Sequence, residues 1–208
     1  MTNFYLDIIF DITCFWLTHW APPPSCCLVK KRLDRAIAIY KSAIPGAASD
    51  TFTITWHPFY LDPTLPRPRK LGRERLAPGG TLLRVIGQVD GIDFAPKGRI
   101  GPRRDAHRLL VDELFKAFLE NGGDITSHRL LVSAGERIGL DKTEMEDWLE
   151  GGQGGDDVDR EVREACVNKV FAVPNSTING GIELAGAQNV QTFLGAFIRV
   201  KKSSFSVN

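Results

Sequence analysis

Four cysteines, Cys14, Cys26, Cys27 and Cys166, are the residues of this chain best equipped for chemistry. A thiolate is a strong nucleophile, and a pair of thiols can exchange with a disulfide. The spacing argues against a structural metal. No Cys-x-x-Cys pair occurs and the four histidines are scattered, so no zinc template fits. Four cysteines in 208 residues do not make a disulfide framework either, and a reducing cytosol is the default compartment for such a chain. Other chemistries lack their signatures. No nucleophile elbow is present for a Ser/His/Asp triad. The glycines of Gly151–Gly155 match neither a phosphate-binding loop nor a dinucleotide fingerprint.

The elements around these thiols can be read from periodicity. Asn3–Thr13 is bulky, aromatic and β-branched, which predicts a strand, and its near-continuous apolarity predicts cover on both faces. It ends at Cys14. The following FWLTHWAPPPSCCLV contains Pro22–Pro24, which oppose helix and favour extended chain. Lys30–Ala43 is amphipathic, with Leu33, Ile37 and Tyr40 on one face, and Pro45-Gly46 stops it. Thr51–Leu61 alternates like a strand, with Phe52, Ile54 and Trp56 on one face. The first third is therefore a βαβ unit, which requires a parallel strand pair.

Asp62–Gly80 is rich in Pro, Arg and Gly and reads as a loop. Helices are expected over Asp105–Glu120, from about Thr126, over Asp141–Leu149 and over Asp156–Asn168, with Gly151–Gly155 as a flexible joint. Strand chemistry returns at Val170–Ile178. Asn179-Gly180 is a hairpin signal, Ile182–Ala185 a short strand and Gln191–Val200 a closing helix, with a frayed polar tail after Lys201.

The bulk composition narrows the partners. Lys and Arg number 26 against 25 Asp and Glu, a formal net charge of +1, which supplies no electrostatic reason for a nucleic-acid or membrane partner. The apolar N-terminus lacks the basic region of a secretory signal, since the first Lys or Arg is Lys30, and Asp7 and Asp11 interrupt it. No apolar stretch is long enough to span a bilayer. A soluble cytoplasmic protein is expected.

The order β-α-β, helical block, β-β-α, together with five stretches of sequence, carries a family resemblance. These are Asp11-Ile12-Thr13-Cys14, Lys30–Tyr40, Thr51–Pro63, Gly91–Leu109 and Val173-Pro174-Asn175, the last with Ile178-Asn179-Gly180 and Gly186-Ala187-Gln188. The chain resembles the DsbA-like thioredoxin family of the FrnE type, related to 2-hydroxychromene-2-carboxylate isomerases and kappa-class glutathione transferases. The resemblance implies an α/β thioredoxin-like fold. Residues 1–63 and 170–202 would form the thioredoxin-like domain and residues 64–169 a helical insertion.

In that family a Cys-Pro-Trp-Cys motif opens the first helix, and a cis-proline elsewhere presents backbone to an extended substrate or glutathione. The resemblance places Cys14 at the attacking thiol and Val173-Pro174 at the cis-proline dock. Trp16 corresponds to the motif tryptophan, as a substrate contact or as core packing, and His107 is a further substrate-binding candidate. The motif itself departs from the pattern, because it reads Cys14-Phe15-Trp16-Leu17. A second alignment treats the residues after Cys14 as an insertion and matches Cys26 to the resolving thiol. Cys26 and Cys27 otherwise read as two loop thiols, and Cys166 as structural. The stretches around Leu76–Arg84 and between Leu110 and Val111 are shorter than the family's, which fits an imperfect gene model or a decaying paralogue.

Three functions follow from the resemblance. The first is a thiol–disulfide oxidoreductase acting on protein or small-molecule thiols, with no bound cofactor. The second is a glutathione-dependent transferase or isomerase, with glutathione as co-substrate. The third is a non-catalytic binding module or decayed paralogue.

Overall fold

The computed structural model describes residues 1–12, 25–61, 69–70, 87–92, 99–100, 111–168, 170 and 172–205. Cys14, Trp16 and His107 lie outside these residues. Four strands form the main sheet: β1 (Asn3–Phe10), β2 (Thr51–Pro58), β5 (Asn175–Ile178) and β6 (Ile182–Ala185), in the order β2-β1-β5-β6. β1 and β2 are parallel, with Asn3 opposite Thr51 and Phe10 opposite Pro58. β5 runs antiparallel to β1, and β6 antiparallel to β5. A separate two-residue pair joins β3 (Arg69–Lys70) to β4 (Arg99–Ile100).

Helix α1 (Ser25–Ala43) makes the crossover between β1 and β2. It begins five residues before the expected Lys30. The three prolines therefore do not keep Ser25–Val29 extended, and Cys26 and Cys27 are helical residues rather than loop thiols. Between β2 and β5 lie α2 (Val111–Phe115), continued by a π-turn at Lys116–Glu120, then α3 (His128–Arg137), α4 (Lys142–Glu150) and α5 (Gly155–Val167). Asp141 caps α4, its Oδ1 accepting from the Glu144 N–H at 3.0 Å, so the acidic start legible in the sequence is a side-chain cap. Helix α6 (Val190–Phe205) closes the chain and runs past Lys201, where fraying was expected.

The sheet has one dry face. Phe4, Leu6, Ile8 and Phe10 alternate inward along β1 and are all buried. Helices α1 and α6 pack together over this face. There Phe4 stacks on Phe52 at 4.5 Å between ring centroids, and Phe197 meets Phe52 edge-on at 5.1 Å. The opposite face departs from expectation. Asn3, Tyr5 and Asp7 are exposed, so β1 is not covered on both sides. Of the helices, α5 packs against β2 on that side.

Strand lengths are also shorter than the periodicity suggested. β2 stops at Pro58, whose ring can offer no amide to a ladder. β5 starts at Asn175, just after Pro174, rather than at Val170. The Asn179-Gly180 hairpin signal is realised in detail. Both residues have positive φ, 48° and 64°, and the Gly181 N–H donates to the Ile178 carbonyl at 3.1 Å. The Asn179 side chain then pins the hairpin to β1. Its Oδ1 accepts from the Tyr5 N–H at 2.8 Å and its Nδ2 donates to the Asn3 carbonyl at 3.1 Å.

A buried ionic hub ties the far end of the sheet. The Asp50 carboxylate has no exposed surface. It accepts from the Thr2 N–H at 2.7 Å, the Tyr40 hydroxyl at 2.7 Å and Lys201 Nζ at 2.6 Å. Burial alone would raise the Asp50 pKa; the Lys201, Thr2 and Tyr40 donors outweigh it and hold the carboxyl below its usual range. Burial, followed by the Asp50 hydrogen bond and charge, pushes the Tyr40 phenol well above its ordinary value. The hub joins the start of β1, α1, the turn before β2 and α6.

Candidate functional site

The end of β1, the first turn of α1 and the residues before β5 meet in one packed cluster. β1 and its extension contribute Phe10 and Ile12; α1 contributes Cys26, Cys27 and Leu28. Cys26 is fully buried and Cys27 nearly so, at 2% exposure. The helices after β2 close the cluster through residues such as Phe115, Leu131 and Leu149, and Val173 packs against it. Phe10 lies at its centre, edge-on to Trp56 at 5.4 Å and to Phe115 at 6.0 Å.

Local hydrogen bonds hold the parts in place. Asp11 is completely buried just past β1, and its Oδ2 accepts from the Leu61 N–H at 2.9 Å. The Phe59 N–H donates to the Phe10 carbonyl at 2.8 Å, so the chain leaving β2 stays hydrogen-bonded to the end of β1. The Val173–Pro174 peptide is cis, as the resemblance implies, and Pro174 is buried. The Pro174 carbonyl accepts from the Gly186 N–H at 2.8 Å. One residue on, the Ala187 carbonyl accepts from Arg32 Nη1 at 3.1 Å.

Arg32 is a branch point. Its Nε and Nη2 both donate to Asp90 Oδ2, at 3.0 and 2.8 Å. It therefore joins α1 to the chain between β2 and β5 and to the loop that bonds the Pro174 carbonyl. Its guanidinium geometry suits three directed bonds, which a lysine would not reproduce.

Of the sequence candidates, the structure brings Cys26 and Val173 to the same cluster, with Pro174 next to Val173 across the cis bond. Cys14, Trp16 and His107 fall outside the described residues. Cys166 is exposed on α5 and is not part of the cluster. Sequence reasoning missed two supports. Asp11 was one of the matched residues but was not read as a buried anchor, although a carboxylate interrupting an apolar strand is the signal for one. Arg32 carries no local signal of its role; only the fold reveals the distant Asp90 and Ala187 as its partners. Among the described residues no three His, Cys, Asp or Glu side chains gather to hold a metal.

A βαβ half and a ββα half sharing one sheet, with helices between them, define a thioredoxin-like fold. The matching family model, the DsbA-like thioredoxin domain, spans residues 6–197, and the chain belongs to that family. A comparison with curated proteins finds no match. Among solved structures, the chain is similar to a probable DsbA oxidoreductase from Streptomyces coelicolor. The identity is 20%, covering 96% of this chain and 90% of that one, with a TM-score of 0.75. It is also similar to a 2-hydroxychromene-2-carboxylate isomerase, at 15% identity over 98% and 99% of the two chains, TM-score 0.62. A third similar structure is the cytosolic disulfide reductase DsbM from Pseudomonas aeruginosa with glutathione, at 15% identity over 96% and 99%, TM-score 0.56. At these identities the likeness establishes the fold.

Proposed function

We propose that the protein is a thiol–disulfide oxidoreductase, with Cys14 as the attacking thiol and Cys26 as the resolving thiol. The observation that carries this reading is the meeting of Cys26, the end of β1 and Val173 in one cluster beside Pro174. Cys14 follows Ile12 by two residues in sequence. Cys26 sits in the first turn of a 19-residue helix. Its complete burial suits a thiol that waits for the partner sulfur rather than meeting solvent.

In this mechanism the Cys14 thiolate attacks one sulfur of a substrate disulfide. That S–S bond breaks, a mixed disulfide forms, and the first substrate thiolate leaves and takes a proton. The Cys26 thiolate then attacks the Cys14 sulfur. A Cys14–Cys26 disulfide forms and the second substrate thiolate leaves. The backbone at Val173-Pro174 would hold the extended substrate, with Trp16 and His107 as further contacts. The reading assigns residues 1–63 and 170–202 to the thioredoxin-like part and 64–169 to the insertion. It places the protein in the cytoplasm, acting on protein or small-molecule thiols without a bound cofactor. Reduction of insulin by dithiothreitol tests it: the wild type should accelerate the reaction and Cys14→Ser should not. Equal rates would remove the proposal.

A second reading is favoured by one departure in the motif. Leu17 stands where the nearer resolving cysteine would be. A glutathione-dependent transferase or isomerase needs only the first thiol, with glutathione as co-substrate. Calorimetry distinguishes it. Binding of glutathione that is weakened by a bulky substitution at Val173 supports this reading, and no binding at millimolar ligand argues against it.

A further inference from the structure

His57, near the end of β2, has a carboxylate against each ring nitrogen. Nδ1 lies 2.8 Å from Glu161 Oε2 on α5, and Nε2 lies 3.2 Å from Asp7 Oδ1 on β1. A neutral imidazole has one N–H and one lone pair. It can donate to one of these carboxylates and must turn its lone pair to the other. An imidazolium donates to both. The arrangement therefore joins α5 to the open face of the sheet fully only when the ring is charged.

Other titratable groups lie on the elements that flank the ring. On β1 the remaining titratable group of that face is Tyr5, and on β5 Thr177, which pairs with Asp7, is uncharged. Glu183 on β6 lies on the same face, opposite Thr177. Helix α5 also bears Asp156, Asp157, Asp159, Arg163 and Glu164. Its Arg160 is drawn along the helix, 2.8 Å from Asp157 and 3.9 Å from Glu164. Burial alone would lower the His57 pKa; the Glu161 and Asp7 carboxylates outweigh it and hold the ring above its usual value.

We propose that His57 is a proton-operated latch between α5 and the sheet, closed by the imidazolium and slackened when the proton leaves. The latch is independent of the thiol chemistry. It acts on the last helix before Val173-Pro174, so it would loosen the chain that leads into that dock. Because the folded-state pKa is raised, the stabilisation is complete below the unfolded value of about 6.5 and is lost as pH rises through the folded value.

Hydrogen exchange of the full chain at pH 6.0 and 8.5, corrected for intrinsic rates, tests the latch. Peptides from α3 serve as the internal reference. Relative to them, α5 protection in the wild type should fall about two- to tenfold at the higher pH, the scale of a partly exposed ion pair. In His57→Gln it should be low and unchanged between the two pH values. Glu161→Gln covers the case in which the first variant does not fold. Its glutamine can donate or accept, so α5 protection should again lose its pH dependence, and the His57 ring should titrate at lower pH by NMR. Wild-type α5 protection that tracks α3 overturns the proposal. So does a pH dependence that survives either substitution, or an unmoved His57 titration in Glu161→Gln.

Discussion

Replacing Asp50 with alanine removes the acceptor for three buried donors at once. Lys201 Nζ, with a side chain only 10% exposed, loses its carboxylate and keeps contacts such as the Gly46 carbonyl at 3.1 Å and the Tyr40 ring, 5.9 Å to its centroid. The Tyr40 hydroxyl and the Thr2 amide lose their acceptor as well. Breaking a buried pair by deleting one partner costs about 3–5 kcal/mol, because the remaining charge has been taken out of water without compensation. Domains of ordinary stability have about 5–15 kcal/mol in total, so the variant should stand near the edge of folding. For a chain of this size the loss corresponds to a melting temperature lower by roughly 10 °C. Urea unfolding followed by circular dichroism measures it. The double variant Asp50→Ala/Lys201→Met removes the stranded ammonium and should be more stable than Asp50→Ala alone. A loss below about 1 kcal/mol in the single variant, or a double variant less stable than Asp50→Ala, would refute the view that this hub is desolvated and mutually dependent.

Three further outcomes follow. The pKa of Asp50 is held low in the folded state, so its contribution is present above the unfolded value of about 3.9 and disappears as pH falls through the folded value; wild-type acid unfolding should be steeper than that of Asp50→Ala. The Ser176 hydroxyl is buried with no hydrogen-bond partner among the described residues, so Ser176→Ala should gain about 1 kcal/mol in urea unfolding, and a loss of similar size would show that the hydroxyl is satisfied in solution. Arg32→Ala strands the nearly buried Asp90 carboxylate and should cost about 2–4 kcal/mol; Arg32→Lys should recover only part of this, whereas full recovery would mean that charge alone matters.

Much of the fold is local in origin and was therefore legible in the sequence. The strand character of β1, the alternation in β2, the Asn179-Gly180 turn and the acidic start at Asp141 each depend on residues within one element. What escaped depended on distant partners. The start of α1 at Ser25 places Cys26 and Cys27 in a buried helical turn. Three preceding prolines argued locally for extended chain, but apolar Cys26, Cys27 and Leu28 find cover from helices more than 80 residues away. The open face of β1 was hidden for a related reason. Tyr5 reads as apolar in composition, whereas its exposure depends on which face of the sheet the helices cover. Arg32, His57 and Asp50 were ordinary charged or polar residues until the fold supplied Asp90, Glu161 and Lys201. At the candidate site, Cys26 and Val173-Pro174 were placed by resemblance to a family order rather than by any local signal, since the Cys-x-x-Cys spacing itself is missing.

The central claim is that Cys14 and Cys26 form one redox pair across the residues between them. The direct measurement is peptide mapping by mass spectrometry after mild oxidation and alkylation of the remaining thiols. The account predicts a Cys14–Cys26 linked peptide that dithiothreitol abolishes, with Cys27 and Cys166 alkylated. Recovery of both Cys14 and Cys26 as alkylated thiols from the oxidised protein, or a disulfide joining Cys14 to Cys166, would contradict it.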